Sequence, residues 1–294
     1  MKQLIFVFSL LSFFFKAQNF ELKNNNLKKY YAIINQAESN IINNNLDSAN
    51  QKYKQAFVIF KEPHAKDLNN SMKVALKVKD DETAYNNYLS LKCLGQNFNN
   101  DFFNENFKNH KKNNTVPCTK TIDLQYKKTL DSLFEIDQYY RKLSKGNYQA
   151  YKKELTKGDS ITSVSLLKLI QNKGFPNEYN IGLEMNSWTY YHDFYFIIWH
   201  QLASNLYSPQ RVNFSNEIIK ALNAGKIRPD IAGQLLDLNN NTRNYSYFRI
   251  YQFGNNDGTM DCCYISKNLM PENRDDKVKY NIENVNEKRK KIGL

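Results

Sequence analysis

The chain has 294 residues, a formal net charge of +12 and a pI near 9.3. That length allows one large domain or two modest ones. The lysines are scattered among asparagines, isoleucines and tyrosines and form no single basic stripe. This argues against a nucleic-acid partner and leaves attraction to anionic surfaces as the consequence of the charge.

Residues 1–17 read as a signal peptide. Met1–Lys2 gives a positive start, and Leu4 to Phe15 is an apolar run of about twelve residues, against the roughly twenty a helix needs to cross a bilayer. Cleavage after Ala17 leaves Gln18 first, although Phe15 fits the cleavage site poorly; an uncleaved N-terminal anchor is the alternative. No cysteine stands at the cleavage point to carry a lipid. Losing Lys2 and Lys16 with the leader lowers the charge from +12 to +10. No later segment is long and apolar enough to span a membrane, so a periplasmic or secreted protein is expected. Export permits disulfides, and Cys93, Cys118, Cys262 and Cys263 allow three pairings. Adjacent Cys262 and Cys263 rarely bond each other, and Cys93–Cys118 would close a loop across a polar stretch; free, buried thiols are the alternative.

Residues 18–96 contain a repeat. "LDSANQKYKQAF" (46–57) aligns with "DETAYNNYLSLK" (81–92), with Ala49 over Ala84, Tyr53 over Tyr88 and Ala56 over Leu91. A small residue lets two helices approach closely, and an aromatic one turn later fills the gap beyond. The preceding segments carry apolar residues at helical spacing and supply the first helix of each unit. The offset and pattern resemble a pair of tetratricopeptide-like hairpins, without the usual tryptophan and glycine of the first helix. Two repeats are fewer than such arrays need, so they are expected to lean on the rest of the chain.

Residues 97–120, rich in Asn and Lys, predict a short helix and then a linker. Beyond it, 121–294 is expected to form a second, helical domain. Ile122, Tyr126, Leu130, Leu133, Ile136, Tyr140 and Leu143 mark one stripe of a long helix. Asp159 or Ser160 is expected to cap the next helix, with Gly174 and Pro176 ending it. Residues 187–206, apolar nearly all round, predict a buried central helix. Ser208–Pro209 opens another that stops at Gly225, and Pro229 opens one through about Leu238. The pattern then changes period, and "YSYFRIYQFG", "NNDG" and "TMDCCYIS" predict a β-hairpin near 245–266. A short basic helix closes the chain. The fold class expected is mainly α with a small β element.

Several stretches from about 120 to 294 resemble, in order, the motifs of a bacterial family of unknown function. These are Gly174-Phe175-Pro176 with Ile181-Gly182, His200 for the histidine of a Gln-His pair, and Asp237 for the acid of an Asp-Arg pair. Tyr251 to Asn255 stands for its Gln-x-Tyr-Gly-Thr strand, and Lys288 to Leu294 for its closing Arg-Arg-x-x-Gly-Leu. Trp199, Leu238 and Asn255 replace the family's Gln, Arg and Thr. The resemblance implies a domain boundary and no reaction, and the lost polar residues favour binding over catalysis.

His200 and Asp237 form the best acid–base pair in the sequence, since a carboxylate on one imidazole nitrogen leaves the other free to take a proton. The competing reading is a buried structural histidine, neutral at pH 7 unless a carboxylate answers it. His192 lies eight residues before His200, the wrong spacing for a metal pair, and no C-x-x-C, H-E-x-x-H, G-x-S-x-G or phosphate loop occurs; no metal or cofactor is expected. Trp188, Tyr191, Tyr195 and Trp199 could line a pocket or simply fill the core. Arg289, within "EKRKK", could meet phosphate or an acidic polymer, against a solvated helix end. The function expected is an exported module that binds a protein or peptide; the alternative is a hydrolase-like enzyme using His200 and Asp237.

Overall fold

Helix dominates the computed structural model, which describes residues 20–110, 118, 120–184, 190–202, 211–245, 251–252, 264–265 and 282–294. The expected leader, Trp188, Cys262 and Cys263 lie outside the described residues. No described helix is long and apolar enough to cross a membrane.

Four helices open the fold: α1 (Asn25–Ile42), α2 (Leu46–Ile59), α3 (Ala65–Lys77) and α4 (Asp81–Cys93), each packed on the next. The Asn24 side chain starts α1 by accepting from the backbone N–H groups of Asn26 and Leu27, satisfying two otherwise unpaired donors. Along α1 the residues Leu27, Tyr30, Tyr31, Ile34, Ala37 and Ile41 are buried, the three- and four-residue steps of one helical face. Every aligned repeat position is buried as well: Ala49, Tyr53 and Ala56 in α2, and Ala84, Tyr88 and Leu91 in α4. The turns before α2 and α4 share a further feature. Asn44 and Lys79, at the same offset, both take left-handed backbone conformations.

A short helix, α5 (Asn100–Asn106), brings Phe102, Phe103 and Phe107 onto Tyr88. Cys93 and Cys118 are bonded, with Cα atoms 5.4 Å apart, tying the end of α4 to the stretch beyond α5.

The next helices are α6 (Leu124–Ser144) and α7 (Lys152–Lys173), joined through a 3₁₀ turn at Tyr148–Tyr151. Two expectations change here. The buried face of α6 runs through Tyr126, Leu130, Leu133, Asp137 and Ser144, while Ile136 and Leu143 are about half exposed. An acidic residue thus takes an inward position that the apolar stripe assigned to Ile136. In turn α7 begins at Lys152, so Asp159 is no cap; it lies inside the helix and is fully buried.

After α8 (Glu178–Ile181), the described residues of the expected central helix, 190–202, contain one helix, α9 (Phe194–Trp199). Tyr190 has a φ of 55°, which a right-handed helix cannot absorb. The aromatic density signalled burial, which Tyr190, Phe194 and Tyr195 show, and burial does not require helix. α10 is Ser215–Asn223, later than the Ser208–Pro209 start, which falls outside the described residues; α11 is Pro229–Asn240. Of the segment 245–266, Tyr251–Gln252 (β1) and Tyr264–Ile265 (β2) pair antiparallel, Tyr251 opposite Ile265, and most of the remainder lies outside the described residues. α12 is Ile282–Lys291.

One apolar core joins both ends of the chain: it contains Tyr30 and Tyr31 of α1, Leu166 of α7, Ile197 of α9, Leu235 of α11, and Ile292 and Leu294. The last residues lie against α1. Leu22 N–H donates to the Lys291 carbonyl at 2.9 Å, and the Asn35 amide donates to the Gly293 carbonyl at 3.3 Å. Gly293 has a φ of +97°, and a Cβ there would fall 2.9 Å from the Tyr31 ring. Glycine is required twice over, for conformation and for space. A second core gathers α3, α4 and α5 with Leu183 and Tyr190.

Candidate functional site

Three helices converge on the residue the sequence singled out. His200 closes α9, and its Nδ1 stands 2.9 and 2.8 Å from the two carboxylate oxygens of Asp137 on α6. Asp159 on α7 completes the group through Arg141, whose Nη2 donates to Asp159 Oδ1 at 2.7 Å. Arg141 Nη1 also donates to the Asp137 carbonyl, 2.6 Å, and lies 3.3 Å from Asp137 Oδ1. Both aspartate side chains are fully buried, whereas His200 keeps 21% of its side chain exposed. Burial pushes the Asp159 carboxyl up from its usual range, opposed by Arg141 and reinforced by the charge of Asp137.

The partner expected for His200 was Asp237, and here the structure differs. Asp237 is buried, but its carboxylate accepts from the Thr242 hydroxyl and from the backbone N–H groups of Asn244 and Tyr245, at 2.6 to 2.8 Å. It organises the chain leaving α11, a use for a carboxylate that needs no imidazole. His200 is also less buried than its apolar neighbours suggested, because it caps a helix six residues long.

The expected pocket aromatics separate in the same way. Tyr195 is core, 2% exposed, with Tyr191 edge-on to it at 4.9 Å between ring centres. Trp199 is partly buried and stacks on Phe196 at 5.7 Å. Arg289 is buried, and its guanidinium donates to the Tyr245 carbonyl, so it serves the fold and offers no open anion site.

The open space lies elsewhere. A cavity of about 710 Å³ runs between the ends of α7 and α10, and one of about 360 Å³ lies along α2, α3 and α4. They meet at Lys120 and Tyr179, which line both. Phe57, Leu68, Leu89 and Leu94 make the smaller cavity apolar, while Lys61, Lys120, Lys173, Lys220 and Lys226 line the combined groove against one acid, Glu217. Glu62 is ion-paired to both Lys120 and Lys226, Asp123 to Lys173 at 2.7 Å and Glu217 to Lys220 at 3.8 Å. Tyr179 is held by its hydroxyl, which donates to the Pro63 carbonyl at 2.8 Å.

A third group, which the sequence reading missed, sits where α1, α3, α8 and α11 meet. The Tyr30 hydroxyl donates to Asp67 at 2.6 Å, and Lys66 pairs with Glu38 and, at 3.5 Å, with Asp67. Tyr31 bonds His64 Nε2 at 3.0 Å, and the other His64 nitrogen lies 3.6 Å from Glu178. Arg228 pairs with Asp230 at 3.0 Å. Burial pushes the Glu38 carboxyl up to about 7 despite the Lys66 charge. Burial opposes the Lys66 ammonium too, but Glu38 and Asp67 outweigh it and raise its pKa. For Glu178, burial is overcome by His64, with help from His192 and Arg228, and the carboxyl is held at about 2. The remaining space, about 20 Å³, is room for roughly one water.

No family model, no curated protein and no solved structure matches this chain.

Proposed function

We propose that the chain is an exported binding module whose lysine-lined groove takes an acidic peptide segment bearing apolar side chains. The observation that carries this reading is the groove itself: two cavities sharing Lys120 and Tyr179, apolar along α2–α4 and lined by five lysines, which outnumber the three acids paired to them, Glu62, Asp123 and Glu217. Charge of one sign in a cleft raises the local concentration of the opposite sign, and apolar pockets beside it fix register. The expected leader supports export, and the buried 35-residue pattern supports the tetratricopeptide-like reading of α1–α4. The β1–β2 pairing supports the hairpin near 245–266. The resemblance to a family of unknown function from 120 onward stays part of this proposal and adds no reaction.

The test is a labelled octapeptide of alternating glutamate and phenylalanine, followed by fluorescence anisotropy. Binding should weaken about tenfold or more when Lys61 and Lys120 are both replaced by Glu, and should weaken with added salt. Equal affinity for a lysine–phenylalanine octapeptide would sink the proposal.

A second reading, an enzyme of hydrolase type, draws support from the hydrogen bond between His200 and Asp137. The carboxylate orienting the imidazole would then be Asp137, in place of Asp237. Turnover of ester or peptide substrates that survives His200→Gln would exclude it.

A further inference from the structure

We propose that Asp137, Asp159 and His200 form a binding site for a divalent transition-metal ion, zinc being the natural probe. Each residue offers one ligand atom, and all three atoms lie within 4.8 Å of one another. Two carboxylates and an imidazole are a donor set that zinc accepts; donors about 2.0–2.1 Å from a tetrahedral ion stand roughly 3.3 Å apart. The residues come from α6, α7 and the end of α9, elements that pack on one another, so the ligands are carried by rigid helices.

Two observations point to a cation beyond the grouping itself. Asp159 is completely buried, and its Oδ2 has no hydrogen-bond donor among the described residues, while Oδ1 is held by Arg141. A carboxylate with one oxygen fixed by a guanidinium and the other bare is arranged as a ligand with its outer support already in place. The charge count agrees. Asp137 and Asp159 share one guanidinium, Arg141, so with a neutral imidazole the site carries a net negative charge away from water. In this arrangement Arg141 stays on Asp159 Oδ1 and the Asp137 carbonyl, and the metal replaces the proton between His200 and Asp137. The partly exposed His200 gives an entry path. In sequence only His200 stands out, because the ligands lie on three separate elements, Asp159 reads as a helix cap and Asp137 carries no signal of its own.

The experiment uses the full chain, stripped with chelator and dialysed against zinc with a competing indicator. One equivalent should bind. Asp159→Asn and His200→Gln should each weaken it by about tenfold or more, as loss of a ligand or its support does. His110→Gln, which alters the exposed His110–Asp81 pair, should leave it unchanged. Cobalt substitution gives a readout independent of any activity: a visible ligand-field band in the parent chain that is lost in His200→Gln. His200 lies at a helix end and is partly exposed, so this variant should still fold if Asp159→Asn does not. Absence of a bound equivalent, or stoichiometric zinc that survives both ligand replacements, overturns the proposal.

Discussion

Lys66 and Arg141 stand in matching situations and meet different ends. Each is a cation placed between two buried carboxylates, Glu38 and Asp67 in one case, Asp137 and Asp159 in the other. Each group has a further donor on one acid: the Tyr30 hydroxyl on Asp67, and the His200 ring on Asp137. The difference lies in that donor and in access. Tyr30 is fully buried, and its hydroxyl is pushed far above its ordinary range, so it offers a hydrogen bond and nothing else. His200 carries an imidazole, whose ring nitrogen can hold a proton or ligate a metal, and it reaches solvent. In the sealed group burial, reinforced by the charge of Asp67, raises Glu38, which holds its proton up to about 7 and so relieves the negative charge. In the open group a cation from solution can do the same. Equal charge arithmetic thus produces a lock in one place and a site in the other.

The largest break in that comparison should come from Lys66→Met. Removing the cation leaves buried carboxylates unanswered, and about 3–5 kcal/mol of stability should be lost in urea unfolding. A loss under 1 kcal/mol would mean the group is not sealed.

Next in size is the response to pH, about 3 kcal/mol in each direction. The Glu178 pKa is depressed to about 2, so its contribution is present above roughly 4.5 and is lost as pH falls through the folded value. Glu38 is raised, so its contribution is complete below roughly 4.5 and fades as pH rises through about 7. Stability should therefore decline on both sides of pH 4.5 to 5. In Glu38→Gln the decline between pH 5 and 7 should vanish while the acid limb remains; an unchanged neutral limb would assign that slope to another group.

A smaller effect is expected at the open group. Asp159→Asn removes surplus charge while Asp137 keeps both Arg141 and His200, so the metal-free protein should change by about 1 kcal/mol or less. A drop as large as that of Lys66→Met would erase the distinction between the two groups. Smallest of all is Ile136→Ala, a half-exposed position expected to stay within about 0.5 kcal/mol, as surface changes do. A loss above 2 kcal/mol would restore Ile136 to the core.

The Ile136 case shows where sequence reading reached its limit. On α1 to α4 the spacing of small, aromatic and aliphatic residues marked the inward faces, while the buried Glu38, Lys66 and Asp67 on the same helices left no trace in that pattern. On α6 and α7 the inward positions include Asp137 and Asp159, and polarity alone sends an aspartate to the surface or to a cap. What reverses the assignment is a partner contributed by another helix, Arg141 or His200, and such a partner has no fixed spacing. Asp237 misled for a related reason. Its proximity to His200 was inferred from motif order, whereas its carboxylate is used by backbone N–H groups only a few residues downstream. The Cys93–Cys118 bond was one of three pairings open in the sequence, favoured there by its position across the polar stretch, and it is the one formed among the described residues. The lysine groove could not: its lining comes from helices far apart in the chain, and in sequence each lysine is one among many.

The docking of Gly293 beside Tyr31 sets a schedule for folding. A ribosome delivers α1 early, yet the backbone that covers its inner face arrives 258 residues after the asparagine that binds it. Contacts of such separation must await closure of nearly the whole chain, and that closure is slow compared with helix formation. Until then Tyr31 and its neighbours stay open to water or to chaperones, and a helix made early is among the last to be finished.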